Sequence, residues 1–377
     1  MHRSLCSIAL VFTSSAALAT QVAPADEGIT ALLDRMESAV LDSDADAYLA
    51  CIDTTVAEWA TEQTNWAADL AEHTPETFEL TLVSEPVAAA VEAEDPVWFT
   101  VEADLRFTWK LPDARERTVE IPARFTRADD GEWRYAGEAW SSVASEDGQT
   151  VVLFLSDGLR EIAEGITEMM PEIREHVDAG FETHLEHPQV VKLYTDMGHL
   201  QQSIYLSYTD PLGGWNEPGE AIKIIASRGM SERQLRILLS HEYGHVATFT
   251  YHEEAALHIP WWVAEGVAEL AAEKYSGNRA RRSMTAAVRA WARTDSLAAW
   301  DDMADFRETP SSLHGHVYLQ GHHFVGYVSE RFGRSARNAW VRALASGVPL
   351  GEATRTGLGL GFEELDAEWR ASLVEDE

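Results

Sequence analysis

The spacing of apolar residues changes along the chain, and each change marks an element. In "ITALLDRMESAVLDSDADAYLACI" the residues Ile29, Leu32, Leu33, Met36 and Val40 recur at helical spacing, so one face is apolar and an amphipathic helix is predicted. From Phe78 the period becomes two: Phe78, Leu80 and Leu82, then Phe99, Val101, Ala103, Leu105, Phe107 and Trp109, then Val119, Ile121, Ala123 and Phe125. These read as half-buried strands. Pro112-Asp113 and Asp130-Gly131 stand between them, with Trp133 and Tyr135 following, which predicts antiparallel hairpins. Helices followed by a curved meander make an α+β unit ending near Val143. "SEDGQ", residues 145 to 149, with Asp147-Gly148 as the breaker, reads as a linker to a second unit. There "VVLFL", "VVKLYTD" and "EAIKIIAS" read as strands and "SDGLREIAEGITEMMPEIREHVDAGF" as a long helix, and everything from Ser231 onward is helical in pattern. No internal repeat or low-complexity tract interrupts it.

Length supports this division, because 377 residues exceed one compact core of typical size. The two units are expected at residues 27–144 and 150–375. Ahead of them, Arg3, the apolar run from Leu5 to Leu18 and the small residues Ala17 and Ala19 resemble a secretory leader, residues 1–19, cleaved before Thr20, the alternative being a retained membrane anchor, for which the run is short. A secreted or periplasmic protein is therefore expected, with no stable membrane span once the leader is removed. Cys6 lies inside the leader, so the mature chain retains Cys51 alone and forms no internal disulfide. The net charge of −34, with four Lys against 25 Arg, argues against nucleic acid or an anionic membrane surface as partner.

Candidate chemistry enters at "LLSHEYGHVATF", residues 238 to 249. Ser231 and Gln234 form a capping box that starts a helix at about residue 232 and carries it through this stretch. Four residues advance a helix by about 400°, so His241 and His245 lie one turn apart on one face and can share a metal ion. Glu242 sits about 100° around, beside that ion, where it could take a proton from water. A catalytic zinc needs a third ligand and an open position, and "IPWWVAEGVAEL" follows. Pro260 suits the first turn of a second helix, on which Glu265 and Glu269 share a face one turn apart. A metzincin is excluded, because Thr248 and Tyr251 occupy the positions of its required glycine and third histidine.

"HEYGH" and "WVAEGVAE", with nineteen residues, Val246 to Ala264, between His245 and Glu265, resemble the gluzincin metallopeptidases, particularly the peptidase MA-like group and, more distantly, the aminopeptidase N type. That resemblance implies His241, His245 and Glu265 as Zn2+ ligands, Glu242 as general base and Glu269 as the carboxylate that accepts a hydrogen bond from a ligand histidine. "HGHVYLQGHHFVGYVSERFG" is similar to the Y-x-x-G helix of the aminopeptidase-type members, which implies that the Tyr318 hydroxyl faces the oxyanion formed when water attacks a carbonyl. His316, His322, His323 and Tyr327 are alternatives for that role. The C-terminal "GVPLGEATRTGLGLGFEELDAEWRASL" resembles the helical tail of the MA-like group. The expected function is hydrolysis of peptide bonds in a peptide or protein substrate. The aminopeptidase segment G-x-M-E-N is missing, and "GWNEPGE" at 214 to 220 does not replace it.

In the first unit, "AYLACID", "EQTNWAADL" and "GEWRYAGEAW" resemble the cone-shaped NTF2-like domains, in which helices close over a curved sheet. Such cones hold ligands or pack against a neighbour, and the motif-poor sequence here points to packing or support. His252 and His258 read as helix-end or loop histidines, and Met169-Met170 and Trp261-Trp262 as packing. The rival functions are a binding protein that keeps the zinc scaffold with little turnover, and a zinc hydrolase acting on a non-peptide amide.

Overall fold

The computed structural model describes residues 25–89, 100–252 and 254–375. The expected leader lies outside the described residues. The chain is mixed α/β, with its C-terminal part helical.

Three helices open the N-terminal unit: α1 (Ala25–Leu41), α2 (Ala45–Leu49) and α3 (Ala57–Asp69). They cover one face of an antiparallel sheet of β1 (Thr77–Leu82), β2 (Val87–Ala88), β3 (Thr100–Lys110), β4 (Arg117–Arg127) and β5 (Trp133–Glu138), in the order β1-β3-β4-β5 with β2 also on β3. The period-two pattern decides which face is covered. Pairing sets Phe78 opposite Trp109, Leu80 opposite Phe107, and Leu105 opposite Ile121, so these side chains share one surface. They meet Ile29, Leu32, Leu33, Met36 and Val40 of α1 in one core. Cys51 is buried there as a free thiol.

The second sheet contains β6 (Ser141–Ala144), β7 (Thr150–Phe154), β8 (Gln189–Tyr194), β9 (Gly214–Trp215) and β10 (Ile222–Ile225), in the order β6-β7-β8-β10-β9. The three central strands are parallel and both edges antiparallel. Residues 145–149 are thus a correction to the sequence reading. They form the turn of the β6–β7 hairpin within this sheet, where Ser145 pairs with Thr150 through backbone and hydroxyl, rather than a linker. The Asp147-Gly148 signal serves either structure, and only the pairing of Val143 with Val152 separates them.

Helix α4 (Arg160–Phe181) packs on this sheet, and α5 (Met197–Ile204) follows β8. Then come α6 (Glu232–Phe249), α7 (Ala255–His258), α8 (Trp261–Arg293, broken at Gly277), α9 (His314–Phe332), α10 (Arg334–Ala345), α11 (Leu350–Leu358) and α12 (Phe362–Glu375). Met169, Met170 and Trp262 are fully or almost fully buried in their common core, as the packing reading expects. Among the described residues no helix is long and apolar enough to cross a membrane.

Helices α6, α8 and α9 cross at close range. A Cβ at Gly244 would fall 2.9 Å from both the Ala268 backbone and the Ala271 side chain. One at Gly266 would fall 2.7 Å from the Gly321 carbonyl. Glycines at these crossings let the three backbones come closer than any side chain permits.

Candidate metal centre

Helix α6 begins as its sequence dictates. Ser231 accepts a hydrogen bond from the Gln234 amide, and the Gln234 side chain accepts one from the Ser231 amide, satisfying two donors at the helix start. Leu235, Leu239, Tyr243 and Ala247 bury one face, which leaves His241 and His245 on a partly exposed one. Pro260 caps α8, and Glu265 stands one turn in.

The close crossing at Gly244 brings these groups together. One ligand atom from each of His241, His245 and Glu265 lies within 4.8 Å of the others, the only such group of three metal-ligating side chains among the described residues. Glu265 Oε2 is 3.2 Å from His241 Nε2 and 3.6 Å from His245 Nε2. Its other oxygen accepts a hydrogen bond of 2.8 Å from Trp261 Nε1, while Oε2 is buried without a hydrogen-bond partner. On the far side of the His241 ring, Nδ1 is 3.4 Å from Glu269 Oε1. His241, His245 and Glu265 therefore each present one atom to a common point, and His241 and Glu265 are steadied from behind by Glu269 and Trp261.

The three side chains are also coupled electrostatically. Burial opposes charge on the His241 ring, but the facing carboxylates of Glu265 and Glu269 outweigh it and hold that ring well above the ordinary imidazole value. Burial likewise opposes ionisation of Glu265, yet His245 and His241 hold it well below the usual carboxylate range. Two imidazoles and a buried carboxylate whose Oε2 faces both Nε2 atoms form an N/O donor set of the kind that suits zinc.

Glu242 is buried beside this group, and burial pushes its carboxyl above the ordinary value. Strand β9 lies against it: a Cβ at Gly214 would sit 2.3 Å from Glu242 Oε1 and 2.7 Å from Cδ. Tyr318 comes from α9, its ring 6.1 Å from that of His241 and 6.3 Å from that of Trp261. Burial and the carboxylates of Glu265, Glu242 and Glu269 push its hydroxyl far above the ordinary phenol value, so it remains a donor.

The alternatives to Tyr318 are engaged elsewhere. His316 stacks on Trp291 at 3.9 Å, His322 lies 3.8 Å from Glu273, His323 accepts from Trp369 Nε1, and Tyr327 neighbours Arg331 and Glu368. His252 Nδ1 accepts from the Glu254 amide, just ahead of α7, and His258, the last residue of α7, lies 3.4 Å from Glu254 Oε2. The sequence reading missed two residues. Trp261, read as packing alone, also orients Glu265, and its place one turn before Glu265 was the available signal. Gly214 carried no signal, because its neighbour Glu242 is distant in sequence.

Comparison with known proteins adds no family. No protein-family profile matches the chain, and no curated protein does. One solved structure, from Novosphingobium aromaticivorans and provisionally described as an aromatic ring hydroxylase, is 15% identical over 30% of this chain and 87% of its own, with a TM-score of 0.20.

Proposed function

We propose that the chain is a zinc-dependent metallopeptidase of the gluzincin type, carrying an NTF2-like N-terminal domain and exported by its leader. The observation that carries the reading is the convergence of one ligand atom each from His241, His245 and Glu265 within 4.8 Å, with the buried Glu242 beside them. The sequence resemblance in "HEYGH" and "WVAEGVAE" supports it.

His241, His245 and Glu265 would hold the ion, which supplies Lewis acidity when bound. The protein's own groups do the rest. Glu269 Oε1, 3.4 Å from His241 Nδ1, would accept its proton in a hydrogen bond once the ion is bound, selecting the tautomer whose Nε2 is free to ligate. Trp261 fixes the Glu265 carboxylate from behind. Glu242, held against β9, takes the proton of the attacking water and returns it to the leaving amine. Tyr318 donates its hydroxyl to the oxyanion of the tetrahedral intermediate, and its raised pKa keeps that proton available.

The test is a peptide library incubated with the zinc-loaded protein and read by product mass. Cleavage is expected, and Glu242→Gln should lower it at least about a hundredfold while zinc stays bound. Zinc-loaded protein that cleaves no peptide contradicts the proposal. Binding without turnover then favours the scaffold reading, and hydrolysis of non-peptide amides alone favours the other hydrolase.

A further inference from the structure

The segment "GWNEPGE" at 214 to 220 supplies no expected ligand, yet it touches both halves of the molecule. At its start Gly214 presses on Glu242. At its end the connection from β9 to β10, residues 216–221, lies under α3 of the N-terminal unit, and a Cβ at Gly219 would meet the Thr61 methyl at 3.5 Å.

Polar contacts tie that connection down. Asn65 Nδ2 donates to Glu217 Oε2 at 3.0 Å and to Glu220 Oε1 at 2.7 Å. The Ala221 amide donates to Glu62 Oε1 at 3.3 Å, and the other Glu62 oxygen takes Lys192 Nζ at 2.5 Å. Lys223, opposite Trp215 in the β9–β10 ladder, reaches Glu220 Oε2 at 3.1 Å. Tyr205 donates to the remaining oxygen of Glu217. Glu62, Glu220, Lys192 and Lys223 are all under 8% exposed, so removing one partner leaves the others buried without it. Strand β9 has two residues and two ladder pairs, too few to hold an edge by themselves.

We propose that the N-terminal unit positions the catalytic base: Asn65 and Glu62 of α3 clamp residues 216–221 and thereby hold β9 against Glu242. This rests on reading Glu242 as the base. Asn65 and Glu62 touch no reacting atom; they are positioning residues acting through the strand.

The experiment uses the full-length, zinc-loaded protein and Asn65→Ala, which removes both donations to the connection. Amide exchange over residues 213–222 should accelerate about tenfold or more while that of α6 does not change, as expected when local opening is eased without global unfolding. Zinc content should stay at one per chain, and kcat should fall about tenfold with a smaller change in KM, the split expected of a displaced catalytic group. As a control, Glu37→Ala removes an acceptor for the Leu80 amide within the same unit and should leave exchange over 213–222 and kcat within about twofold, since distant sites act independently. Unchanged exchange in Asn65→Ala overturns the clamp, and faster exchange with unchanged kcat overturns its action on Glu242. A zinc-loaded parent that hydrolyses no peptide fails the functional reading separately, and exchange alone then decides the clamp.

Discussion

Replacing Gly214 with alanine should disable the centre while leaving the fold nearly intact. The new methyl would lie 2.3 Å from Glu242 Oε1, 2.7 Å from Cδ and 3.0 Å from Cγ, so one partner must retreat by roughly 1 Å to reach ordinary contact. The strand cannot easily do so, because Gly214 is paired with Ile224 and the Ile225 amide bonds the Gly213 carbonyl at 3.0 Å. The Glu242 carboxylate, at the end of a rotatable side chain, is the softer partner and turns away. An overpacked site costs typically about 1–3 kcal/mol, and a side chain that yields keeps the cost near the lower end. Catalysis fares worse, since a 1 Å misplacement of a reacting group costs about a hundredfold.

Gly213 provides the internal control: a methyl there meets Leu238 Cδ1 at 3.5 Å, an ordinary contact. The assay is kcat and KM on a cleaved peptide, with zinc content and a thermal melt on the same samples. Gly214→Ala should keep one zinc, melt within a few degrees of the parent and lose about a hundredfold in kcat, whereas Gly213→Ala should stay within about twofold. A Gly214→Ala protein with near-parent kcat would refute the placement of Glu242 as a base held by β9.

Two further perturbations probe the oxyanion donor and the acid stability of the fold. Tyr318→Phe should lower kcat by about a hundredfold with KM and melting temperature little changed, as for loss of one oxyanion donor, and unchanged kcat would remove Tyr318 from the chemistry. Burial alone would raise the Glu138 carboxyl, but the His199 hydrogen bond and the Lys192 charge outweigh it and lower its pKa from 4.5 to about 2. A depressed folded value contributes stability that is complete above the ordinary carboxylate range and disappears as pH falls from 4.5 toward about 2. Glu138→Gln should flatten that acid limb and cost on the order of 2–3 kcal/mol at neutral pH, measured by urea unfolding across the range, and an unaltered limb would refute the assignment.

Local signals in the sequence reached far. The alternation at Phe78 and Leu80, Val101 to Trp109 and Val119 to Phe125 identified strands and their buried face, Phe99 lying outside the described residues, and the Ser231 and Gln234 pair located the start of α6. Helix geometry alone put His241 and His245 one turn apart, with Glu242 beside them, and Glu265 one turn from Glu269; that Glu265 joins the two histidines was implied by the resemblance, and the crossing of α6 and α8 is what brings the three together. Choosing Tyr318 over His316, His322, His323 and Tyr327 rested on resemblance; in the fold the Tyr318 ring lies 6.1 Å from that of His241, while the other four have partners elsewhere. Contacts that join distant segments left no local trace. Glu62 meets Lys192 across 130 positions, and the need for glycine at 214 comes from a carboxylate on a later helix. The turn at 145–149 was misread for a related reason: Asp-Gly breaks a chain equally well between strands and between domains.

A zinc centre on His241, His245 and Glu265 is the claim on which the proposed chemistry depends. Crystals of the zinc-loaded protein, measured on both sides of the zinc absorption edge, test it most directly. The expected result is one strong anomalous peak about 2.0–2.2 Å from His241 Nε2, His245 Nε2 and a Glu265 carboxylate oxygen. A zinc-soaked crystal with an intact fold and no peak among these three side chains would contradict it.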